Sequence, residues 1–234
     1  MPEVLAVNAS EGFVLISDLG NLQYLEALNR GADPEPLYAD AIDALLRLQA
    51  QGTGAAGALP RYDEKELRRE MDLFPEWFIG RHLGLESSAS DRRAIEGAFA
   101  WLTEAALVQP TVLVHRDYHS RNLMVCPERN PGILDFQDAV RGPISYDLVS
   151  LLKDCYIVWP RANLSRWIDR YRAGAERLGL DAGRDRAEFE RWFDQIGLQR
   201  HIKVLGIFAR LWYRDGKPGF LADLSRVLDY TLAV

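Results

Sequence analysis

Cysteine is scarce in this chain: Cys126 and Cys155 are the only two among 234 residues. That count excludes a disulfide framework and fits a reducing compartment. Both sit in apolar runs, which predicts two buried thiols. A basic surplus is missing as well. Lys and Arg number 28 against 34 Asp and Glu, for a formal net charge of −6, the opposite of the footprint of a nucleic-acid binder. No apolar run approaches the ~18–20 residues needed to span a bilayer. The opening MPEVLAVNASEGFVLIS lacks a basic segment ahead of a long apolar core, so no signal peptide is read there. A cytoplasmic protein with no nucleic-acid or membrane partner is expected.

The composition is 48% hydrophobic and 26% charged, ordinary for a globular chain of one large domain. Residues 4–7 and 12–16 read as two short strands around a turn, a hairpin. Tyr38, Ile42, Leu45 and Leu46 then recur at helical spacing, as do Ile95, Phe99, Leu102 and Ala106 before Pro110. From Ser145 onward the helical period returns in Leu148, Leu151, Leu152 and Cys155. Phe189, Trp192, Phe193 and Ile196 begin a further helical face, continued by Ile202, Leu205, Ala209 and Trp212. Five of the six tryptophans fall on helical stretches, where core packing is the default reading. No internal repeat is found. The fold class this predicts is α+β: a small β hairpin followed by a mostly helical body that carries one irregular β segment.

That segment, residues 111–140, is where chemistry concentrates. TVLVH, NLMVC and GIL are brief strand-like runs separated by polar loops, and such loops commonly carry function. They hold His115, Asp117 and Asn122, with Asp135 thirteen residues beyond Asn122. Phosphoryl transfer needs a group to orient a hydroxyl and accept its proton, and oxygen ligands to hold metal across phosphates. A loop carboxylate suits the first task. An Asn amide oxygen and an Asp carboxylate, hard oxygen donors suited to Mg²⁺, suit the second.

The spacing H-x-D-x-x-x-x-N, followed by Asp135-Phe136-Gln137, matches a kinase-like catalytic loop and metal-binding motif. On these motifs the chain resembles the aminoglycoside phosphotransferase and choline kinase family. The resemblance covers nearly the whole chain, most sharply residues 111–156. It implies a protein-kinase-like fold, with ATP and Mg²⁺ as cofactors and a small-molecule alcohol as substrate. It also implies roles: Asp117 as catalytic base, Asn122 and Asp135 as metal ligands, and Asp147 as a brace for the loop. LISDLG at residues 15–20 looks like the hinge between lobes, where the Ser17 carbonyl and Leu19 amide would pair with adenine. Read without the resemblance, Asp147 is explained by a helix start capped by Ser145.

Within that family the run DFQDAVRGPISYDLVSLLKDCY, residues 135–156, resembles the bacterial anomeric kinases of N-acetylmuramate and N-acetylglucosamine in cell-wall recycling. Arg121, Asp138, Tyr146 and Asp154 are then candidates for lining a sugar site, each with a structural or solvated role as the alternative. Kinases of another alcohol (choline, homoserine, an aminoglycoside) and a non-catalytic lobe stay open. Family members begin with a β-rich lobe bearing a nucleotide-covering loop and a phosphate-gripping lysine, yet no lysine precedes Lys65 here. The chain is therefore expected to hold, in residues 1–19, a remnant of that lobe and the hinge, and in 20–234 the helical catalytic lobe. It is expected to turn over poorly by itself.

Three decoys are set aside. Gly52–Gly57 matches G-x-G-x-x-G but follows a helical pattern rather than a strand, so a flexible connector is expected. His115 and His119 are spaced like a zinc pair, but no further Cys or His lies nearby to complete a site. His115 is expected to fix the loop by hydrogen bonds. The basic run Lys65–Arg69 is flanked by Glu64, Glu66 and Glu70, which predicts a solvated helix face.

Overall fold

The computed structural model describes residues 1–52, 54 and 56–233. Several helices begin where the chain supplies a side-chain cap. Asp33 accepts from the Glu35 N–H ahead of α2 (Pro34–Gln51), with Pro34 at the first helical position. Asp63 accepts from the Glu66 N–H at the start of α3 (Glu64–Met71). Ser88 and Asp91 form a reciprocal capping box on α4 (Ala89–Leu107). These follow α1 (Tyr24–Asn29), and a π-helical stretch, Phe74–His82, lies between α3 and α4. The later helices are α5 (Tyr146–Leu152), α6 (Arg161–Arg177), α7 (Arg186–Tyr213) and α8 (Leu224–Leu232).

The strands form three separate pairs, all antiparallel. β1 (Val4–Asn8) and β2 (Phe13–Ile16) make the expected hairpin, every residue of which is exposed. β3 (Thr111–Val114) pairs with β6 (Val140–Pro143), and β4 (Leu123–Met124) with β5 (Gly132–Ile133). β6 escapes sequence reading because Val-Arg-Gly-Pro carries no strand pattern, and Pro is confined to strand ends and edges. Its pairing matters: β3 leads into His115, and β6 leaves from the loop after Asp135, so the ladder draws both ends of the polar segment together.

The 28-residue α7 is the spine of the helical body. It packs against α3, α4, α5, α8 and the π-helical stretch, and is continuously buried from Gln199 through Gly206. The predicted helical faces of α2 and α5 are buried as read, including Tyr38, Ile42, Leu45, Leu148 and Leu151. Tryptophan follows the expectation less well. Trp167 is fully buried and stacks on Tyr38 at 4.3 Å, whereas Trp101 is 50% exposed on the outer side of α4. Cys155 is buried as predicted; Cys126 is only half-buried, its thiol 3.5 Å from the Leu19 carbonyl. In the glycine-rich run, Thr53 and Ala55 lie outside the described residues; α2 runs up to Gln51 before it and a short 3₁₀ turn, Ala56–Ala58, follows.

Packing is tightest where α7 crosses the chain ahead of the π-helical stretch. A Cβ built on Gly206 would stand 2.5 Å from the Leu73 carbonyl carbon, a backbone atom that cannot move aside. Gly206→Ala should therefore lower the unfolding free energy by about 1–3 kcal/mol in urea titrations. Gly97, on the exposed side of α4, has nothing within 4 Å of such a Cβ. Gly97→Ala should raise stability by roughly 0.5–1 kcal/mol, because glycine is a poor helix former.

Candidate active site

The polar loop between β3 and β4 is held mainly through its backbone. Asp147, fully buried on α5, accepts from two successive N–H groups: His115 at 2.6 Å and Arg116 at 3.0 Å. Ser145 stands at the N-cap position of α5 but does not cap it; its hydroxyl donates instead to the Gln109 side chain at 2.7 Å. Helix capping thus fails as an account of this pair of residues. Burial pushes the Asp147 carboxyl up to about 7, against the two amide hydrogen bonds. For His115, the bond that anchors the loop is the main-chain one; its ring meets Tyr118 edge-on at 5.8 Å.

Arg116 has a left-handed backbone, φ +78°, a conformation that costs a non-glycine residue roughly 1–2 kcal/mol and is retained where its surroundings over-determine it. The surroundings here are unusual. The Arg116 guanidinium pairs with Glu70 of α3, which also holds Lys203 of α7 at 2.9 Å and the Tyr62 hydroxyl. Lys203 donates in turn to the Tyr146 hydroxyl at 3.1 Å. Glu70 is only 4% exposed, so the solvated face predicted for α3 is wrong at this position. Glu70 lies on the inward side of α3, and burial beside two cations requires that it stay charged. Burial alone would raise its pKa, but Lys203 and Arg116 hold it below the usual carboxylate range.

Three of the predicted site residues are brought together. The Asn122 amide nitrogen donates to the Asp117 main-chain carbonyl at 3.0 Å and to the Asp135 carboxylate at 3.3 Å. The Leu134 N–H donates to the Asn122 carbonyl at 2.9 Å, so the exit of β5 runs alongside the loop and delivers Asp135. Asp135 is exposed, with φ +62°, and Gln137 donates to its second oxygen at 2.5 Å. Among the described residues, none donates a hydrogen bond to the half-buried Asp117 carboxylate.

The donor set at this corner is oxygen throughout, which suits Mg²⁺. Among the described residues no trio of His, Cys, Asp or Glu gathers to hold a metal. An ion would therefore draw on Asn122 and Asp135 for protein ligands and complete its shell with water and phosphate oxygens. The absence of such a trio also leaves a His115–His119 zinc site without further ligands.

Of the residues put forward for a sugar site, Tyr146 and Asp154 are fully buried. Tyr146 meets Tyr62 edge-on inside the core. The Asp154 carboxylate is taken by the Ser120 N–H at 2.9 Å, the Ser120 hydroxyl at 2.5 Å and the Tyr156 N–H at 3.0 Å. Neither side chain faces solvent, because both satisfy groups beneath the loop. Asp138 and Arg121 are exposed, and the Arg121 guanidinium lies 4.5 Å over the Tyr156 ring. Sequence reading passes over Lys203 and Tyr156 and takes Glu70 for one of several solvated acids on α3. Ser17 and Leu19 lie half-exposed between β2 and α1, with Leu19 against Cys126 and Gly132 beside the β4–β5 pair.

A helical lobe with a short β segment presenting a catalytic-type loop and an Asn–Asp oxygen corner is the lobe of a protein-kinase-like phosphotransferase. The solved structure of a choline/ethanolamine kinase family protein from Mesorhizobium loti shares this fold, with a TM-score of 0.66 and 16% identity over 99% of this chain and 72% of that one. Residues 1–189 match the Phosphotransferase enzyme family, and the chain belongs to it. It is 45% identical over 230 residues to the N-acetylmuramate/N-acetylglucosamine kinase of Pseudomonas putida, covering 98% of this chain and 67% of that protein. The enzyme of the same name from Neisseria meningitidis is 44% identical, with 98% and 69% covered. The chain thus spans about two thirds of the length of these relatives.

Two outcomes follow from the supports of the loop. The folded value of Asp147 lies above its ordinary 3.8, so its contribution to stability is fully present below about pH 4 and is lost as pH rises through about 7. Relative to Asp147→Asn, the unsubstituted protein should lose about 1.4 kcal/mol of unfolding free energy per pH unit at the steepest part of that range. Glu70→Ala leaves Arg116 and Lys203 as buried, unpaired cations. Chemical denaturation should show a loss of about 3–5 kcal/mol, whereas loss of an exposed acid would cost well under 1 kcal/mol.

Proposed function

We propose that this chain is the catalytic lobe of an ATP-dependent kinase that phosphorylates the anomeric C1 hydroxyl of N-acetylmuramate and N-acetylglucosamine in peptidoglycan recycling. The observation that carries the reading is the Asn122 amide, bonded at once to the Asp117 backbone and the Asp135 carboxylate. It supports a site in which the half-buried Asp117 works beside two hard oxygen donors that flank neighbouring strands. The kinship with kinases of those two sugars supplies the acceptor.

In this reading Asp117 accepts the proton of the C1 hydroxyl as the sugar oxygen bonds to the γ-phosphorus; the bond from that phosphorus to the β,γ-bridging oxygen breaks, and ADP leaves. A magnesium ion held by Asn122 and Asp135 would neutralise charge on the β- and γ-phosphates. Gln137 and Asn122 fix the Asp135 carboxylate, and Asp147 fixes the loop that presents Asp117. The Ser17 carbonyl and Leu19 N–H would take the adenine edge; no described residue takes either group. Residues 1–19 would belong to the N-terminal lobe and hinge, and residues 20–234 to the catalytic lobe.

The test offers ATP–Mg²⁺ with a panel of N-acetylated sugars, choline and aminoglycosides. ADP release follows turnover, and calorimetry follows sugar binding in parallel. N-acetylmuramate and N-acetylglucosamine should bind and be phosphorylated in preference to the other alcohols. Asp117→Asn should cut turnover by about 10²–10⁴-fold with sugar binding and the unfolding midpoint retained. A near-normal rate in that variant would remove Asp117 as the base.

A further inference from the structure

The two sugars named for the relatives differ in one group: N-acetylmuramate carries a lactyl ether whose carboxylate is ionised at neutral pH, and N-acetylglucosamine has a plain hydroxyl there. A site serving both needs a cation that meets the carboxylate when it is present and is tolerably placed when it is absent. The cations of the catalytic loop, and those on the helices beneath it, can be sorted by what they already do. Arg116 and Lys203 are both held by Glu70. Lys153 pairs with Asp194 at 2.8 Å. Arg200 is 4% exposed, its guanidinium 4.0 Å from the Cys155 sulfur.

Arg121 differs from all of them. It is exposed, it directly precedes Asn122, and among the described residues no carboxylate lies within 4 Å of it. Its guanidinium is steadied over the Tyr156 ring at 4.5 Å, and His119 meets the same ring edge-on at 5.7 Å. The platform is fixed relative to Asp117. The buried Asp154 carboxylate binds both Ser120, the neighbour of Arg121 in the loop, and the main-chain N–H of Tyr156. An arginine stacked on an aromatic face keeps its planar fork of donors ordered and charged, the form that grips a carboxylate with two parallel hydrogen bonds. Ordering it in advance reduces the entropy lost on binding.

We propose that Arg121, stacked on Tyr156, is the specificity-determining residue that binds the lactyl carboxylate of N-acetylmuramate. This rests on the sugar-kinase reading above and deepens it. Asp154 is a positioning residue in this scheme, acting through Ser120 and Tyr156.

The experiment compares Arg121→Met and Arg121→Lys with the unsubstituted protein. Its substrates are N-acetylmuramate, the uncharged lactyl amide of N-acetylmuramate, and N-acetylglucosamine, each with ATP–Mg²⁺. It reads kcat/KM by ADP release and Kd by calorimetry. In Arg121→Met the preference for N-acetylmuramate over N-acetylglucosamine should fall by about 10- to 100-fold, the scale of a charge-assisted hydrogen bond. The change should lie mainly in KM and Kd, Arg121→Lys should recover part of it, and the ratio of lactyl amide to N-acetylglucosamine should stay near its original value. An equal loss for all three sugars, or no change in the ratio, would overturn the assignment of Arg121 while leaving the kinase reading intact. Failure of the unsubstituted protein to bind either natural sugar would overturn that reading and this proposal with it.

Discussion

A single buried carboxylate carries the geometry of this lobe. Asp147 sits in the first turn of α5 and accepts from two consecutive main-chain N–H groups, those of His115 and Arg116. Consecutive amides can point at one acceptor only when the chain turns sharply between them, and Arg116 makes that turn with a left-handed backbone. Its conformation is then secured from the side-chain end, where Glu70 ties the guanidinium to α3 and, through Lys203, to α7. Removing any one of these contacts would leave buried polar groups unpaired, so the loop has few alternative conformations to relax into.

On that base the site is assembled from short pieces of backbone. The β3–β6 ladder brings the residues before the loop next to those after Asp135, and the β4–β5 pair aligns Asn122 with Leu134. Each strand is only two to four residues long, too short for the ladders alone to define the corner. The helical body supplies the rigidity: α5 from beneath, α3 and α7 through the buried ion cluster, and α2 through the bond from the Tyr118 hydroxyl to the Ala41 carbonyl at 2.8 Å. Charge is distributed to match. The cations Arg116, Lys203 and Lys153 are paired with carboxylates and Arg200 is buried, whereas Asp135, Asp138 and Arg121 are exposed.

Solved structures that share this fold include a choline kinase and an aminoglycoside phosphotransferase. The fold accordingly says little about the acceptor. Residues 119–121 and 154–156 are held against each other beside the loop. There Asp154 locks one segment to the other, and the exposed Arg121 lies over the half-buried Tyr156 ring.

Much of the site was legible because its motifs are local. The H-x-D-x-x-x-x-N spacing and the following Asp-Phe-Gln place Asp117, Asn122 and Asp135 on successive strand ends, and the structure draws them into one corner. The helical faces of α2, α4 and α5 were equally plain, since a period of 3.6 residues records burial directly in the chain. What needed the tertiary structure is contact between distant segments. Glu70 looks like one acid on a charged helix, and only the approach of Arg116 and Lys203, from positions far along the chain, makes it buried and paired. Tyr146 and Asp154 look available to a ligand until the packing of α5 and of the segment that follows it turns both inward. β6 has no strand signature of its own and exists because β3 lies beside it. The sequence by itself determined which residue types meet at the Asn122–Asp135 corner and in what order, because strand ends and helix faces are short-range patterns. The tertiary structure alone decided which charges are buried, which are paired and which remain open, because charge pairing depends on distance in space, which residue order does not encode.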